Sequence, residues 1–407
     1  MRKIFLIILL SILYQSVICQ ENFTVMCYNV LNFPNGEPLN RKDTLKTIVD
    51  FVKPDLILLQ ELKSEAGLTS VAEESCSDLE GNYTSAVWVP QQSNPNSSWP
   101  LQQNLVYNSD KFTLHQQNEI LTDYRDFNEF ILYYNSEELI NEQDTAFLYV
   151  YVTHLKSSQG EDNEQLRLEM VENFTNHLTT VPENAQVLLG GDFNVYRSTE
   201  PSYELLLSDD NAIVLEDPID SPGDWHSSSY SDKSVLTQST RSSQIFNDGA
   251  GGGVDDRFDF MLVSSNMLDN SGGYQYVPNS YYALGNNGDC YNERITYCAE
   301  TNFNVPQSVM LALYYMSDHL PVIMQMELDQ TSSIRETKKE FFLRSNVVSD
   351  QLQFSSLING EVTVYDASGK LVLLKTINSN ELNISVLQSG IYLIKIEGLS
   401  PLKFVKE

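Results

Sequence analysis

The sequence predicts an α/β layered domain followed by a small all-β module. Short apolar runs alternate with polar loops from residue 23 to about residue 328, and segments with helical spacing lie between some of these runs. The last segment, residues 341–407, contains only strand-like runs and turns, and a polar, charged stretch at residues 330–340 precedes it. Hydrophobic residues make up 42% of the 407, which is enough for a large core.

Six apolar runs in the first domain have the composition of buried strands. They are residues 25–30, 56–59, 147–152, 187–189, 258–263 and 322–326. Helical spacing is found at residues 42–53 and 163–178, and in the second segment Leu166, Met170 and Phe174 fall on one face. Because strands and helices interleave along the chain, we expect layers of sheet and helix.

The C-terminal module contains strand-like runs at residues 361–366, 371–374 and 391–396. Three segments, residues 347–350, 364–372 and 389–395, resemble the C-terminal sorting domain of type IX secretion cargo from Bacteroidota. The resemblance implies that the export machinery recognises this module as a partner. The alternative is an ordinary β-sandwich binding module.

The N-terminus, residues 1–19, is predicted to be an export signal. Arg2 and Lys3 precede an apolar run at residues 4–13, which is too short to span a bilayer as an ordinary helix. We expect cleavage after Cys19; an uncleaved anchor and a lipoprotein signal are the alternatives. The mature protein is then expected to have no transmembrane segment and to be secreted or attached to the cell surface.

The chain is strongly acidic, with a formal net charge of −30. This charge repels DNA, RNA and anionic membranes at long range. A polyanionic substrate would therefore have to be held by a few local cations or by bound metal. The charge counts against a high-affinity nucleic-acid binder and counts less against an enzyme that binds its substrate briefly.

The cysteines suggest a disulfide and a free thiol rather than a metal site. Export makes disulfides possible, and Cys290 and Cys298 are close together in a polar segment, which makes them the predicted pair. Cys27 lies in a strand pattern and is predicted to be a buried free thiol. No CxxC pattern or nearby histidine spacing indicates zinc.

Polar side chains occur where the apolar strands end or begin. The positions are Asn29, Glu61, His154, Asp192, Asn194, Asp259, Asp318 and His319. Polar residues are costly inside sheets unless they are paired or bind metal. Asp192 and Asn194 are two residues apart and would share one face of an extended segment. If these strand ends meet at one sheet edge, they form a site for a hard cation with acid and base groups beside it.

The same positions resemble the ordered signature of the endonuclease/exonuclease/phosphatase superfamily, which includes deoxyribonuclease I. The matching motifs are Asn29, Gln60-Glu61, Thr153-His154-Leu155, Gly191-Asp192-Phe193-Asn194, Arg257-Phe258-Asp259 and Ser317-Asp318-His319-Leu320-Pro321-Val322. The resemblance implies a four-layer α/β/β/α sandwich with two mixed sheets over residues 20–329. It also implies a hydrolase of phosphoric ester bonds that depends on Mg²⁺, with Mn²⁺ or Ca²⁺ as alternatives.

The resemblance implies roles for the metal ligands and for the groups around the attacking water. Glu61 is implied as the main magnesium ligand, with Asn29 and Asp318 helping to hold the metal or its waters. Asp192 is implied to orient or deprotonate the attacking water, and Asn194 to hydrogen-bond the phosphate. The site needs a base on one side of the phosphorus and charge neutralisation on the other.

The histidines and two basic residues complete the predicted site. His319, paired with Asp259, is implied to stabilise the developing negative charge or to act as acid or base. His154 is implied to protonate the leaving oxygen. Lys63 and Arg241 are weaker candidates for substrate contacts, and an ordinary surface role is an equal alternative for each.

Each catalytic candidate also has a structural alternative. Glu61 could cap a helix, and His154 could be a structural histidine. Asp259 could form an ion pair with its neighbour Arg257. Asp318 and His319 could close a turn before the last strand.

Residues 247–253 form a glycine-rich segment. They lack the lysine and the strand-to-helix context of a phosphate-binding loop. We therefore interpret the segment as a flexible connector.

The fold does not choose the substrate, because the superfamily cleaves DNA, RNA, sphingomyelin and small phosphoesters. The segment at residues 153–158, followed by a polar helix, resembles secreted bacterial nucleases. We therefore expect a secreted nuclease, an endonuclease, that hydrolyses DNA or RNA phosphodiester bonds. The alternatives are a sphingomyelinase-like or small-molecule phosphodiesterase or phosphatase, and a non-catalytic surface adhesin.

Overall fold

The computed structural model describes residues 21–135, 146–269, 271, 273–298, 302, 304–328, 347–366, 369–396 and 402–406. It divides into two compact units, Met1–Ser333 and Ile334–Glu407. This division falls within the predicted linker at residues 330–340. The linker itself and the predicted export signal at residues 1–19 lie outside the described residues.

The larger unit contains thirteen strands in its described part. In chain order they are β1 (Glu21–Phe33), β2 (Leu56–Leu62), β3 (Tyr83–Ser85), β4 (Gln102–Asn108), β5 (Phe112–Ile120), β6 (Phe127–Tyr134), β7 (Phe147–His154), β8 (Gln186–Asp192), β9 (Leu215–Glu216), β10 (Asp259–Ser264), β11 (Tyr274–Tyr276), β12 (Tyr282–Ala283) and β13 (Val322–Leu328). All six strands predicted from the sequence are present. The other seven strands were not predicted, and β4, β5 and β6 are the longest of them.

The strands form two mixed sheets. The first has the order β11-β13-β1-β2-β4-β3, with β12 also paired to β13, and the second has the order β5-β6-β7-β8-β10-β9. In the first sheet β1 is parallel to β2 and antiparallel to β13. In the second sheet β7 is parallel to β8, which is antiparallel to β10. The carboxyl ends of β1, β2, β7 and β8 are the ends that carry the predicted polar residues.

Six α-helices accompany the sheets in the described residues. They are α1 (Lys42–Val52), α2 (Glu65–Ser70), α3 (Glu161–Leu178), α4 (Pro201–Leu206), α5 (Ile295–Cys298) and α6 (Gln307–Met316). The helix predicted at residues 42–53 ends as expected, because Lys53 adopts a left-handed conformation, with φ 54°, and caps it. The long helix begins at Glu161, two residues before the predicted start.

The two faces of each strand belong to different cores. Val25 and Cys27 of β1 pack with Val150 of β7 and Leu188 of β8 in a cluster between the sheets. The alternate residues of the same strands pack against helices; for example, Phe174 of α3 stacks on Phe127 at 4.6 Å and contacts Tyr151. Burial of one such side chain contributes about 1.5–3 kcal/mol. The predicted four-layer α/β/β/α sandwich is confirmed.

Where the structure describes the cysteine side chains, their states agree with the predictions from the sequence. Cys27 is a buried free thiol, as predicted, and Cys76 is also free and buried. Cys290 is disulfide-bonded. The side chain of its predicted partner, Cys298, lies outside the described residues.

The smaller unit is all-β, as predicted. Its strands are β14 (Val347–Val348), β15 (Gln351–Asp366), β16 (Leu371–Asn383), β17 (Gly390–Ile396) and β18 (Leu402–Lys406). They form one five-stranded sheet in the order β14-β18-β17-β15-β16. The pairing of β15 with β16 shifts register between Gln353 and Ile358. Leu352, Val364 and Phe404 are among the residues of its own hydrophobic core.

Across the described residues, no helix combines the length and the apolar character that crossing a membrane requires.

Candidate active site

The polar strand ends meet at one edge of the two sheets. In the second sheet His154 of β7 lies beside Asp192 of β8, and Asp192 lies beside Asp259 of β10. In the first sheet Asn29 of β1 lies beside Gln60 of β2. Parallel strands end at the same edge and an antiparallel neighbour begins there, so the pairing brings residues far apart in sequence together.

The amide of Asn29 joins the two sheets. Its Nδ2 donates to Glu61 Oε1 at 3.1 Å and to Asp192 Oδ2 at 3.0 Å. The same Asp192 oxygen lies 3.4 Å from His154 Nε2 and 3.7 Å from His319 Nε2. Three of the predicted site residues, Asn29, His154 and His319, therefore surround one carboxylate oxygen of Asp192.

Glu61 reaches the site through an unusual backbone conformation. Its φ is 62°, in the left-handed region, and the pairing of β2 with β4 shifts register around it. Such a conformation costs a non-glycine residue about 1–3 kcal/mol and persists where the surrounding structure holds it. Glu61 Oε2 accepts the N–H of Asn32 at 3.0 Å. These contacts hold the carboxylate beside Asn29, and Glu61 makes no helix cap.

The Gly-Asp-Phe-Asn motif depends on a close approach of β7 and β8. A Cβ on Gly191 would lie 2.1 Å from the carbonyl oxygen of Thr153, so no side chain fits there. Asn194 is also left-handed, with φ 52°, and its N–H donates to Asp192 Oδ1 at 3.1 Å. The Asn194 amide donates to Leu155 O at 3.4 Å. The motif thus turns sharply and keeps Asn194 next to Asp192.

His319 and Asp259 form a buried pair, as predicted. His319 Nδ1 lies 2.8 Å from Asp259 Oδ2. Ser317 Oγ donates to Asn29 O at 2.7 Å and accepts the N–H of His319 at 3.1 Å, which fixes the turn. The alternative ion pair of Asp259 with Arg257 is wrong, because the Arg257 guanidinium binds the two oxygens of Asp217 at 2.7 and 3.0 Å.

Asp318 is held by one oxygen only. Its Oδ2 accepts the N–H of Ala250 at 2.7 Å and lies 3.2 Å from Gln238 Nε2, while Oδ1 is buried without a partner. A Cβ on Gly249 would lie 3.0 Å from Asp318 Cγ. The interpretation of residues 247–253 as a flexible connector is therefore wrong. The segment packs on Asp318, and its small residues permit that approach.

The environment shifts the pKa values of Asp192, Glu61, His319 and His154. Burial raises the pKa of Asp192 to about 7, although His319 opposes the shift, and burial and Asp318 raise the pKa of Glu61. Burial lowers the pKa of His319, but the carboxylates of Asp259 and Asp192 outweigh it and raise that pKa well above its ordinary value. Burial, with Arg125, lowers the pKa of His154 well below its ordinary value. His154 is therefore neutral at pH 7, whereas His319 favours the imidazolium.

The acidic residues could hold a divalent cation. Ligand atoms of Glu61, His154 and Asp192 all lie within 4.8 Å of one another. Two buried atoms nearby, His154 Nδ1 and Asp318 Oδ1, have no hydrogen-bond partner. Carboxylate oxygens suit Mg²⁺ and Mn²⁺, and an imidazole nitrogen suits transition metals. The residues present therefore fit a divalent cation.

A second group of potential ligands, His226, Asp255 and Asp256, is less suitable. The side chain of His226 is 47% exposed. Its Nδ1 lies 2.7 Å from Asp256 Oδ1, so that pair is already satisfied without a cation. The group that contains Glu61 is therefore the better candidate for the predicted metal site.

Lys63 lies beside the carboxylates without joining them. Its Nζ donates to Pro100 O at 3.1 Å and lies 4.0 Å from the centre of the Trp99 ring. Lys63 and Pro100 also line a cavity of about 310 Å³ together with Trp88 and Gln91.

Arg241 is buried behind Asp318. Its Nε donates to Tyr314 O at 3.2 Å and its Nη1 to Asp248 O at 3.3 Å. At this position the positive charge of Arg241 attracts the Asp318 carboxylate, and the side chain stabilises the loop at residues 247–253. Its side chain is 1% exposed, so it presents little surface to a substrate.

Sequence reasoning missed two contributors to the site. Gln238 contacts both Asp318 and His319, and Ala250 supplies a backbone N–H. Neither lies in a strand pattern or a motif, and a backbone N–H carries no sequence signal. The glycines at residues 249 and 251–253 could have indicated that this segment packs closely against another part of the chain.

Comparison with protein families gives one match. Residues 346–406 match the family described as the secretion system C-terminal sorting domain. The predicted sorting domain is confirmed. It indicates that the protein is secreted or attached to the cell surface through type IX secretion. No curated protein matches the chain.

Several solved structures are similar to the larger part of the chain. TDP2 from D. rerio, complexed with a single strand DNA product, is 14% identical, with a TM-score of 0.47, and the match covers 75% of this chain and 98% of that one. An endonuclease/exonuclease/phosphatase family protein from Bacteroides thetaiotaomicron is 16% identical, with a TM-score of 0.46 and coverage of 77% and 97%. A mannosyl-6-phosphatase from the same species is 15% identical, with a TM-score of 0.44 and coverage of 75% and 99%.

Proposed function

We propose that the larger unit is a metal-dependent hydrolase of phosphoester bonds and, more specifically, a secreted nuclease that cleaves DNA or RNA. The observation that carries the proposal is the Asn29 amide, which bonds Glu61 at 3.1 Å and Asp192 at 3.0 Å. It joins a candidate metal ligand to a candidate base across the two sheets. His319 lies 3.7 Å from the same Asp192 oxygen, so acid, base and ligand share one cleft.

Glu61 and Asp318 would hold the cation, with His154 and Asp192 in reach. Asn29 presents its Nδ2 to the carboxylates while its Oδ1 accepts the N–H of Leu31, so we assign it to positioning these ligands and not to the cation itself. A bound Mg²⁺ or Mn²⁺ would neutralise charge on the phosphate oxygens and polarise the phosphoryl group. The Asn29 amide and the Asp318 contacts keep these ligands in fixed positions, which lowers the cost of assembling the site.

The chain's own residues supply the proton transfers. Asp192 takes a proton from the attacking water, and its pKa of about 7 suits a base near neutral pH. The water oxygen bonds to phosphorus as the bond to the leaving oxygen breaks. The His319 imidazolium, held by Asp259, donates to a phosphate oxygen, and Asn194 supplies a neutral hydrogen bond.

The leaving oxygen needs a proton, and the opposite pKa shifts of the two histidines favour His319 over His154 as its source. The pKa of His154 is lowered, so its neutral ring is a poor acid. The pKa of His319 is raised, which makes His319 the better reservoir of a proton. We therefore propose that His154 serves as a hydrogen-bonding group beside Asp192 rather than as the acid.

Substitution of Glu61 tests the proposed function. Glu61→Ala should reduce turnover by at least about 10³-fold, because it removes the main cation ligand. The assay measures cleavage of DNA, RNA, sphingomyelin and bis-p-nitrophenyl phosphate, each with and without a chelator. Glu73→Ala, at an exposed position on the π-helical turn after α2, is the matched control and should keep full activity. Failure of the wild-type protein to cleave any of the four substrates in Mg²⁺ or Mn²⁺ would reject the proposal.

A small phosphoester or a lipid with a zwitterionic headgroup is the second candidate substrate. The basic side chains around the described site are bound to backbone carbonyls: Lys63 to Pro100, Arg125 to Leu155 and Arg241 to Tyr314. These cations are already engaged and the chain has a net charge of −30, so few positive groups remain to attract a polyanion. Turnover of sphingomyelin or of small phosphoesters, with DNA and RNA left intact, would select this candidate.

A further inference from the structure

Gln238 lies at the edge of the site, on a backbone that is held from both sides. Antiparallel bridges join it to Asp256 on one side and to His319 on the other. The N–H groups of Asp255 and Asp256 both donate to Gln238 O, at 2.7 and 2.9 Å. The side chain therefore projects from a fixed peptide.

The amide nitrogen of Gln238 lies between two residues of the proposed machinery. It is 2.6 Å from His319 Nε2 and 3.2 Å from Asp318 Oδ2. An amide NH₂ has two hydrogens, so one can point to each partner. His319 Nε2 can accept, since Nδ1 bonds Asp259. When the ring is protonated, Nε2 becomes a donor, and the amide must rotate to present its oxygen to it. The amide nitrogen then leaves Asp318 Oδ2, so the two contacts hold together only while His319 Nε2 is unprotonated.

The Gln238 amide also affects how the Asp318 carboxylate is held. Both protein donors, the Ala250 N–H and the Gln238 amide, use the same oxygen, Oδ2. Oδ1 is buried and has no protein partner. A carboxylate held through one oxygen presents the other in a defined direction, and hydrogen bonds of this kind tune how well a ligand holds a cation.

We propose that Gln238 is a positioning residue for phosphoester hydrolysis, because its amide fixes the Asp318 carboxylate and the His319 ring relative to each other. The inference rests on the proposed function. It assigns Gln238 an effect on the rate and on cation affinity rather than on substrate affinity, because its amide acts through Asp318 and His319.

Replacement of the amide by an apolar side chain of similar size tests the proposal. In the full-length protein, Gln238→Leu should lower kcat by about 10- to 100-fold and raise the Mg²⁺ concentration for half-maximal activity by a similar factor. The KM for bis-p-nitrophenyl phosphate should change by less than about threefold. The matched control is Gln244→Leu, at an exposed position in the same segment, which should leave all three values unchanged.

A spectroscopic readout separates positioning from a general structural effect. The chain has five histidines, so histidine-selective ¹⁵N labelling gives few signals, and the His319 ring is identified by the signal lost in His319→Asn. Gln238→Leu should shift the ¹⁵N signal of His319 Nε2, because that nitrogen loses its hydrogen-bond partner. If Gln238→Leu does not fold, Gln238→Asn replaces it. That variant keeps the amide but withdraws it by one methylene, so the same losses are expected in weaker form.

The results of these experiments are decisive in each direction. A folded variant whose kcat, Mg²⁺ requirement and His319 signal all match the wild-type protein overturns the proposal. A change in substrate KM alone also overturns it, since it would make Gln238 a substrate contact. If the wild-type protein hydrolyses no phosphoester, the proposed function fails. The His319 signal and a Mn²⁺ broadening titration then decide whether Gln238 positions these two side chains.

Discussion

Asp192 is placed between two histidines of opposite character. His154 has a lowered pKa, and His319 has a raised one, yet both ring nitrogens lie within 3.7 Å of the same carboxylate oxygen. The difference follows from their other neighbours. His154 lies near the cationic Arg125, whose guanidinium donates to His154 O, whereas His319 is bonded to the Asp259 carboxylate. One carboxylate can therefore serve as base beside a neutral ring and a charged one.

The pH dependence of the rate should follow from the pKa of Asp192. A general base must be deprotonated, so kcat/KM should rise about tenfold per pH unit below the pKa and level off above about pH 7. A bound cation favours the carboxylate, so saturating Mg²⁺ should move the acid limb to lower pH. The measurement is kcat/KM for bis-p-nitrophenyl phosphate at several Mg²⁺ concentrations, with Asp192→Asn as the inactive reference. A rate that falls between about pH 6 and pH 8 would contradict this role for Asp192.

At the scale of elements, the sequence predicted the strands that lead into the site but missed β4, β5 and β6. The detected strands, such as residues 56–59, are buried on both faces and are therefore continuously apolar. The missed ones carry polar residues whose partners are distant in sequence. Glu129 of β6 is buried, and its Oε1 lies 2.7 Å from Tyr151 Oη and 2.8 Å from His177 Nε2. These hydrogen-bond partners come together only in the folded structure. The polar residues of the missed strands therefore did not fit a strand pattern in the sequence.

The same limit applies to the site. Its carboxylates and histidines could be predicted because each follows or begins an apolar strand. Gln238 and Ala250 could not, because they lie in irregular segments brought to Asp318 by tertiary packing. Lys63 shows the converse, since its position two residues after Glu61 suggested a substrate contact but its Nζ is bonded to Pro100 O.

The glycine-rich loop gives a prediction at this scale. Gly249→Ala should weaken Mg²⁺ activation, because φ is 85° there and the new Cβ would lie 3.0 Å from Asp318 Cγ. The strained backbone should also cost about 1–2 kcal/mol in the free energy of unfolding. Gly252→Ala is the matched control in the same loop, because φ is also positive there but the nearest atom, Asp255 Oδ2, is 3.6 Å away.

Activity assays and thermal denaturation distinguish the two variants. Both should lose stability, since both place a side chain at a positive φ. Only Gly249→Ala should raise the Mg²⁺ concentration for half-maximal activity. Equal Mg²⁺ requirements in the two variants would mean that the loop does not control Asp318.

At the scale of the whole molecule, an export module follows the proposed catalytic unit on a very acidic chain. The sorting domain at residues 346–406 accounts for delivery to the outside of the cell. It does not determine the chemistry of the active site. The net charge of −30 does affect that chemistry, because it sets how the protein meets an anionic substrate. Charge is therefore the property of the whole chain that bears most directly on the choice between nucleic acid and small ester.

Salt dependence should reveal this effect. A nuclease that relies on a basic surface loses affinity steeply as salt rises, because DNA releases counterions on binding. Here the protein and the DNA repel each other, so added KCl should screen the repulsion and raise kcat/KM for a DNA oligonucleotide between about 10 and 100 mM. Bis-p-nitrophenyl phosphate, with a single charge, is the control substrate and should respond much less. A steep fall in the rate on DNA alone would show that a cationic surface guides the nucleic acid in spite of the overall charge.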